Sequence, residues 1–170
     1  MDGDALSVRV HPAFLYPGHP LASVNGPFNA VTVESTAITE ITMSGPGAGG
    51  PQTASAVLGD VISAMIPPAS VPPAEESLRI SADVSSAFYL YLEVADEPGV
   101  LATVAAVLGE HGVSVKSVVQ KGLATGTARM VMVVHRVAET RFYDAMAPIG
   151  ELGAVRARPR ASRVVEEQFG

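Results

Sequence analysis

The sequence predicts an α+β protein in two parts, a partial mixed α/β segment followed by a ferredoxin-like βαββαβ module. Three observations carry this prediction. Four prolines fall between Pro67 and Pro73, where they remove backbone donors and favour extended chain, so they separate compact units. Beyond them the spacing of apolar residues alternates between a period of two and a period of 3.6. A hydrophobic content of 48% over 170 residues supplies a core and excludes a disordered chain.

In chain order, the first part (residues 1–66) shows strand patterns at about Ser7–Val10, Phe28–Glu34 and Ile38–Ser44. The glycine-rich run Gly45-Pro46-Gly47-Ala48-Gly49-Gly50 follows. Val57, Leu58, Val61, Ile62 and Met65 then fall on one helical stripe, with Thr53 the expected N-cap. Residues 67–86 read as a proline-rich linker. In the second part (residues 87–165), Phe88, Leu90, Leu92 and Val94 alternate with Tyr89, Tyr91 and Glu93, which is a strand with one buried face. Asp96-Glu97-Pro98-Gly99 ends it, and Pro98 suits the first turn of a helix. Leu101, Val104, Ala105 and Leu108 mark the apolar stripe of that helix, which stops at His111-Gly112. Strands at Val113–Gln120 and Ala128–His135, a helix at Glu139–Met146 and a last strand at Ala154–Arg160 complete the order. Two split βαβ units of this kind make a four-stranded antiparallel sheet with both helices on one face.

Composition excludes several function classes. The absence of cysteine removes disulfides, thiolate metal sites and cysteine nucleophiles. The four histidines have no metal-ligand spacing, so no metal site is expected. Residues 1–66 hold five acids against Arg9, and the remainder holds twelve acids against ten bases, so neither part attracts nucleic acid. Arg156, Arg158, Arg160 and Arg163 read as a solvated strand edge rather than a phosphate-binding patch. No run of about 18 apolar residues predicts a membrane span, and the first residues do not resemble a signal peptide, so a cytoplasmic location is expected. His11 and His19 each precede proline in an apolar turn and are read as structural, because no partner for acid–base catalysis sits at a suggestive spacing.

The glycine-rich run lies between a strand and a helix, which invites a dinucleotide-binding reading. A Rossmann unit also needs a second parallel strand and an acid about 20 residues on, where this chain has its prolines. A tight turn using glycines to reach positive φ is the alternative.

Val8-Arg9-Val10-His11-Pro12-Ala13-Phe14-Leu15, His19-Pro20-Leu21-Ala22-Ser23-Val24-Asn25-Gly26, Phe28-Asn29-Ala30-Val31 and the glycine run into Thr53-Ala54-Ser55-Ala56-Val57-Leu58-Gly59-Asp60 together resemble the closing section of homoserine dehydrogenases. The resemblance implies an NADP- or NAD-dependent oxidoreductase that interconverts L-aspartate 4-semialdehyde and L-homoserine, in the pathway to threonine, methionine and isoleucine. It places Gly49 at the cofactor, near the nicotinamide end. The family's nucleotide fingerprint and catalytic lysine have no counterpart here, and residues 1–66 contain no lysine. No catalytic residue is therefore assigned, and the isolated chain is expected to be inactive.

Val94-Ala95-Asp96-Glu97-Pro98-Gly99-Val100-Leu101, with Gly112-Val113-Ser114-Val115 after the helix, resembles the ACT domain, a module that binds amino acids and regulates metabolic enzymes. The resemblance implies a ligand site of Asp96, Gly99, Val100, Leu101, Ser114 and Gln120, completed between two copies by the strand Val113–Gln120. Ser114 stands where many amino-acid-binding modules have asparagine. The implied partners are a homo-oligomer, formed through the ACT module and strands of the first part, and an amino-acid effector, with threonine the family expectation. A free-standing ACT regulator, or a dimerisation module without ligand, is the competing reading.

Overall fold

The computed structural model describes residues 5–66, 79–81, 83–123 and 126–166. Most of the expected linker, residues 67–78 and Ala82, lies outside the described residues. The chain divides into two compact units, one of residues 1–14 and 78–166, the other of residues 15–77 with the last four residues.

The larger unit is built on strands β1 (Ala5–Leu6), β2 (Ala13–Leu15, of which the first two residues belong here), β5 (Arg79–Ile80), β6 (Ser85–Ala95), β7 (Val115–Gly122), β8 (Thr127–Ala138) and β9 (Arg160–Val165). Helices α2 (Val100–Glu110) and α3 (Glu139–Gly150) complete it. Its main sheet has the order β2-β9-β6-β8-β7. The β6–β8, β6–β9 and β7–β8 pairings are all antiparallel, which is the arrangement expected for a βαββαβ module, with β2 added beyond β9.

The core follows from the period-two pattern. Phe88, Leu90, Leu92 and Val94 of β6, and Ala128, Met130, Met132 and Val134 of β8, are fully buried on one face. Val100, Val104 and Leu108 of α2 and Phe142, Ala145 and Ile149 of α3 pack onto that face. The α2 stripe therefore runs through Val100, at spacings of four, and leaves Leu101 partly exposed. Phe88 and Phe142 stack with centroids 4.0 Å apart and planes 4° from parallel, which joins sheet to helix over a large apolar area. Asp83 caps α3, accepting from Thr140 N at 3.2 Å and from Thr140 Oγ1 at 3.1 Å.

Several expected elements fall elsewhere. Ser7–Val10 is not a strand, and Val8 and Val10 are exposed. Pro98 lies in the turn before α2, whose N-cap is Gly99 in the left-handed region, at φ 90°. The last strand is Arg160–Val165 rather than Ala154–Arg160, because Leu152–Pro159 forms turns with a single bridge, Val94 to Val155. Of the four arginines expected along a solvated edge, Arg163 is instead 9% exposed and bonded to Glu139.

The smaller unit contains a 3-10 turn (Pro20–Ser23), the antiparallel hairpin of β3 (Phe28–Ser35) and β4 (Thr39–Pro46), and helix α1 (Gly50–Met65). The hairpin register pairs Glu34 with Glu40, Thr32 with Thr42, Val33 with Ile41 and Val31 with Met43. Alternation therefore gives it one polar and one apolar face. The apolar face is exposed, as is the whole stripe of α1. The N-cap of α1 lies four residues before the expected one, at Gly49, and Thr53 N–H donates to Gly49 O at 3.0 Å as the first helical hydrogen bond. Pro51 in the first turn suits this start, since its missing N–H would have no helical partner there.

Candidate functional site

Three groups of residues stand out for their chemistry. The first is the glycine loop. Gly49 has φ 131° and ψ 151°, a conformation essentially reserved for glycine. A Cβ on Gly49 would also collide with the Gln52 side chain, and one on Gly47 would collide with Asn29. At Gly49 the backbone conformation itself requires glycine, whereas the Gln52 and Asn29 side-chain ends can move aside, and the loop leads into the N-terminus of α1. That terminus has no side-chain cap, so its first amides are available to an acceptor.

The second group lies where β6 enters α2. Asp96, Gly99, Val100 and Leu101 sit together at this end by chain continuity. Gly99 supplies no capping side chain to α2, so the amides of Val100, Leu101 and Ala102 have no helical acceptor, and the helix dipole adds partial positive charge at the same place. Gln120 of β7 joins them, donating from Nε2 to Asp96 Oδ1 at 3.3 Å. Asp96 N–H in turn donates to Gly126 O at 3.1 Å. Ser114 does not join them within one chain. It precedes β7, its carbonyl accepting from His135 N at 2.9 Å, and the six residues to Gln120 span roughly 20 Å of extended strand. Gly122, not singled out by sequence, belongs to the group: a methyl at this position would come within 2.8 Å of Asp96 Oδ2. Only the folded geometry shows this contact, since residues 96 and 122 are brought together by the β6-β8-β7 order.

The third group is His19, Glu34 and Glu40, whose ligand atoms lie within 4.8 Å of one another. Sequence spacing did not show it, although a hairpin centred on Ala37 pairs Glu34 with Glu40 directly. His19 is 3% exposed, and its Nδ1 accepts the Leu21 amide at 3.0 Å. In the neutral ring the proton must then sit on Nε2, so neither nitrogen has a lone pair left for a cation. His19 caps the 3-10 turn and adds a donor near the paired glutamates.

Residues 2–62 match the family model described as homoserine dehydrogenase, and residues 88–154 match the ACT domain. A curated homoserine dehydrogenase of Synechocystis is 38% identical over 96% of this chain. Over nearly its whole length the chain is thus similar to homoserine dehydrogenases. The Corynebacterium glutamicum homoserine dehydrogenase is likewise 38% identical, over 80% of the chain. The solved homoserine dehydrogenase of Thiobacillus denitrificans superposes with a TM-score of 0.81 at 29% identity, covering 95% of this chain and 39% of that one. The chain spans 41% of the length of the Synechocystis relative and 32% of that of the Corynebacterium relative. No helix among the described residues is long and apolar enough to cross a membrane.

Proposed function

We propose that this chain is the regulatory C-terminal portion of a cytoplasmic NAD(P)-dependent homoserine dehydrogenase, which as a whole interconverts L-aspartate 4-semialdehyde and L-homoserine. The observation that carries this is the union, in one chain, of a glycine loop resembling the family's with an ACT-type module in which Asp96, Gly99 to Leu101 and Gln120 lie together at one end. Gly49 and the uncapped start of α1 fit the cofactor side of such an enzyme, because bare backbone and free amides suit a ligand that lies against the chain. A bound nicotinamide cofactor would supply the hydride. The residues here would contact it without moving protons, since the chain's only lysines are Lys116 and Lys121 of the second part. The expected result of a steady-state assay with aspartate semialdehyde and NADPH is no turnover by this chain alone; a normal enzymatic rate refutes that assignment.

In the ACT module the α2 amides would hold the carboxylate of an amino acid, and Asp96 its ammonium group. Ser114 enters such a site only from a second copy. β7 is an open sheet edge, and antiparallel pairing of two β7 strands brings the Ser114 end of one copy toward the Gln120 end of the other. Threonine is the effector we propose. Calorimetry with threonine, methionine and isoleucine tests this: heat with threonine that is lost in Asp96→Ala supports it, and no heat with any of the three leaves a dimerisation module instead.

A further inference from the structure

Residues 5–14 match the homoserine dehydrogenase family model together with the residues that follow them, yet they fold as part of the ACT-type unit. Several contacts attach them, among them a hydrogen bond from Ser7 Oγ to Ser81 O at 3.2 Å. Ala5 and Leu6 pair in parallel with Arg79 and Ile80, and Ser81 N–H donates to Leu6 O at 2.9 Å. β2 lies beside β9 at the sheet edge. The Phe14 ring sits 4.6 Å from that of Tyr89, on the face of β6 opposite the core. Arg9 Nε lies 3.6 Å from Glu139 Oε2.

Glu139 makes this attachment more than a surface contact. The same Oε2 is 2.5 Å from Arg163 Nη2. Arg163 also donates to Ser86 Oγ at 3.2 Å and lies over the Phe88 ring at 5.8 Å, so it is fixed in place. Glu139 is the first residue of α3, and its own N–H donates to Val84 O at 3.1 Å. One carboxylate thus joins the start of a helix, the β9 strand and the 5–14 segment. The Arg163 arm is the more buried, whereas Arg9 is more exposed and more distant, so the Arg9 arm releases first.

We propose that residues 5–14 form a strap latched by Glu139, through which a displacement at the start of α3 is passed to the chain that follows Phe14. The linkage is reciprocal, so loosening either end must loosen the other. Hydrogen exchange followed by mass spectrometry on the full chain tests it with Arg9→Met, Asp83→Asn and the double variant. Asp83→Asn weakens the cap of α3 at Thr140, the residue after Glu139. Arg9→Met, which keeps the apolar stem and leaves Glu139 on Arg163, should speed exchange of the amides of residues 5–15 roughly threefold, the scale of one part-exposed ion pair. Asp83→Asn should speed the same amides, and adding it to Arg9→Met should give less than the product of the two single effects. Unchanged exchange of residues 5–15 in Arg9→Met overturns the latch. Effects of Asp83→Asn that multiply independently of Arg9, or never reach residues 5–15, overturn the coupling. Glu139→Gln is expected to exceed either single variant; should it fail to fold, the other two still decide.

Discussion

The two units of this chain use similar apolar patterns to different ends. In the ACT-type unit, strands β6 and β8 and helices α2 and α3 close their apolar faces on one another, and their central residues are fully buried. In the smaller unit the hairpin and α1 carry equally regular patterns, but Val31 is 60% and Met43 62% exposed, and His19 is the one buried residue among the described ones. Amphipathic periodicity thus specifies which face is apolar, while burial requires a second face to meet it. The difference teaches that a family pattern can be complete in sequence while its core is only partly supplied by the residues that carry it.

The comparison is most sharply tested by truncation. Phe142→Ala should destabilise the ACT-type unit by about 3–5 kcal/mol, because it removes a stacked ring from a closed core; denaturant unfolding followed by circular dichroism measures it. A value near zero would mean that this core is not the source of the unit's stability. In the smaller unit the largest effect should come from backbone, with Gly49→Ala costing about 1–3 kcal/mol through its φ. Calorimetric unfolding of the full chain would read this as a change confined to one transition. Deleting residues 1–14 should cost the ACT-type unit about 1–2 kcal/mol, since β2 and the Arg9 contact are lost. Size-exclusion chromatography of that variant should also show association through the exposed β9 edge.

Smaller effects sharpen the contrast further. Val31→Ala should change stability by less than about 0.5 kcal/mol, the ordinary surface range, while reducing self-association measured by light scattering. The last expectation concerns pH. Tyr91 donates to Glu93 Oε1 at 3.0 Å, and this hydrogen bond to a carboxylate, helped by partial burial and the glutamate charge, raises the phenol above its ordinary value. Because the folded value exceeds the unfolded one, the contribution is fully present below about pH 10 and lost as pH rises through the raised value. Absorbance titration of phenolate should show one late-ionising tyrosine that disappears in Tyr91→Phe.

Much of the ACT-type unit was legible in sequence because its signals are local. The alternation from Phe88 to Val94 and the spacing of Val104 and Leu108 each report a face directly. The last strand was misplaced because arginine reads as solvent-facing, and what buries Arg163 is Glu139, 24 positions away in sequence and close only after folding. The cap of α1 was misjudged for a different reason: Thr53 is a good capping residue, but Pro51 already fixes the helical turn before it. At the candidate sites the same division holds. The loop from Asp96 to Leu101 is contiguous and so can be singled out from sequence, whereas the Gly122 contact and the Glu34–Glu40 pair exist only through strand register.

The strand β2 has a consequence for assembly. A ferredoxin-like sheet ends in two open edges, and a molecule with two complementary edges can add copies without limit. Here β2 occupies one end and is only three residues long, too short to template a long neighbour. In the pairing proposed above, this sheet extends only through β7, and an edge that pairs with its own copy about a two-fold axis is used up in doing so. Edge-to-edge addition of this sheet then ends at two copies, whatever association the smaller unit's apolar face adds.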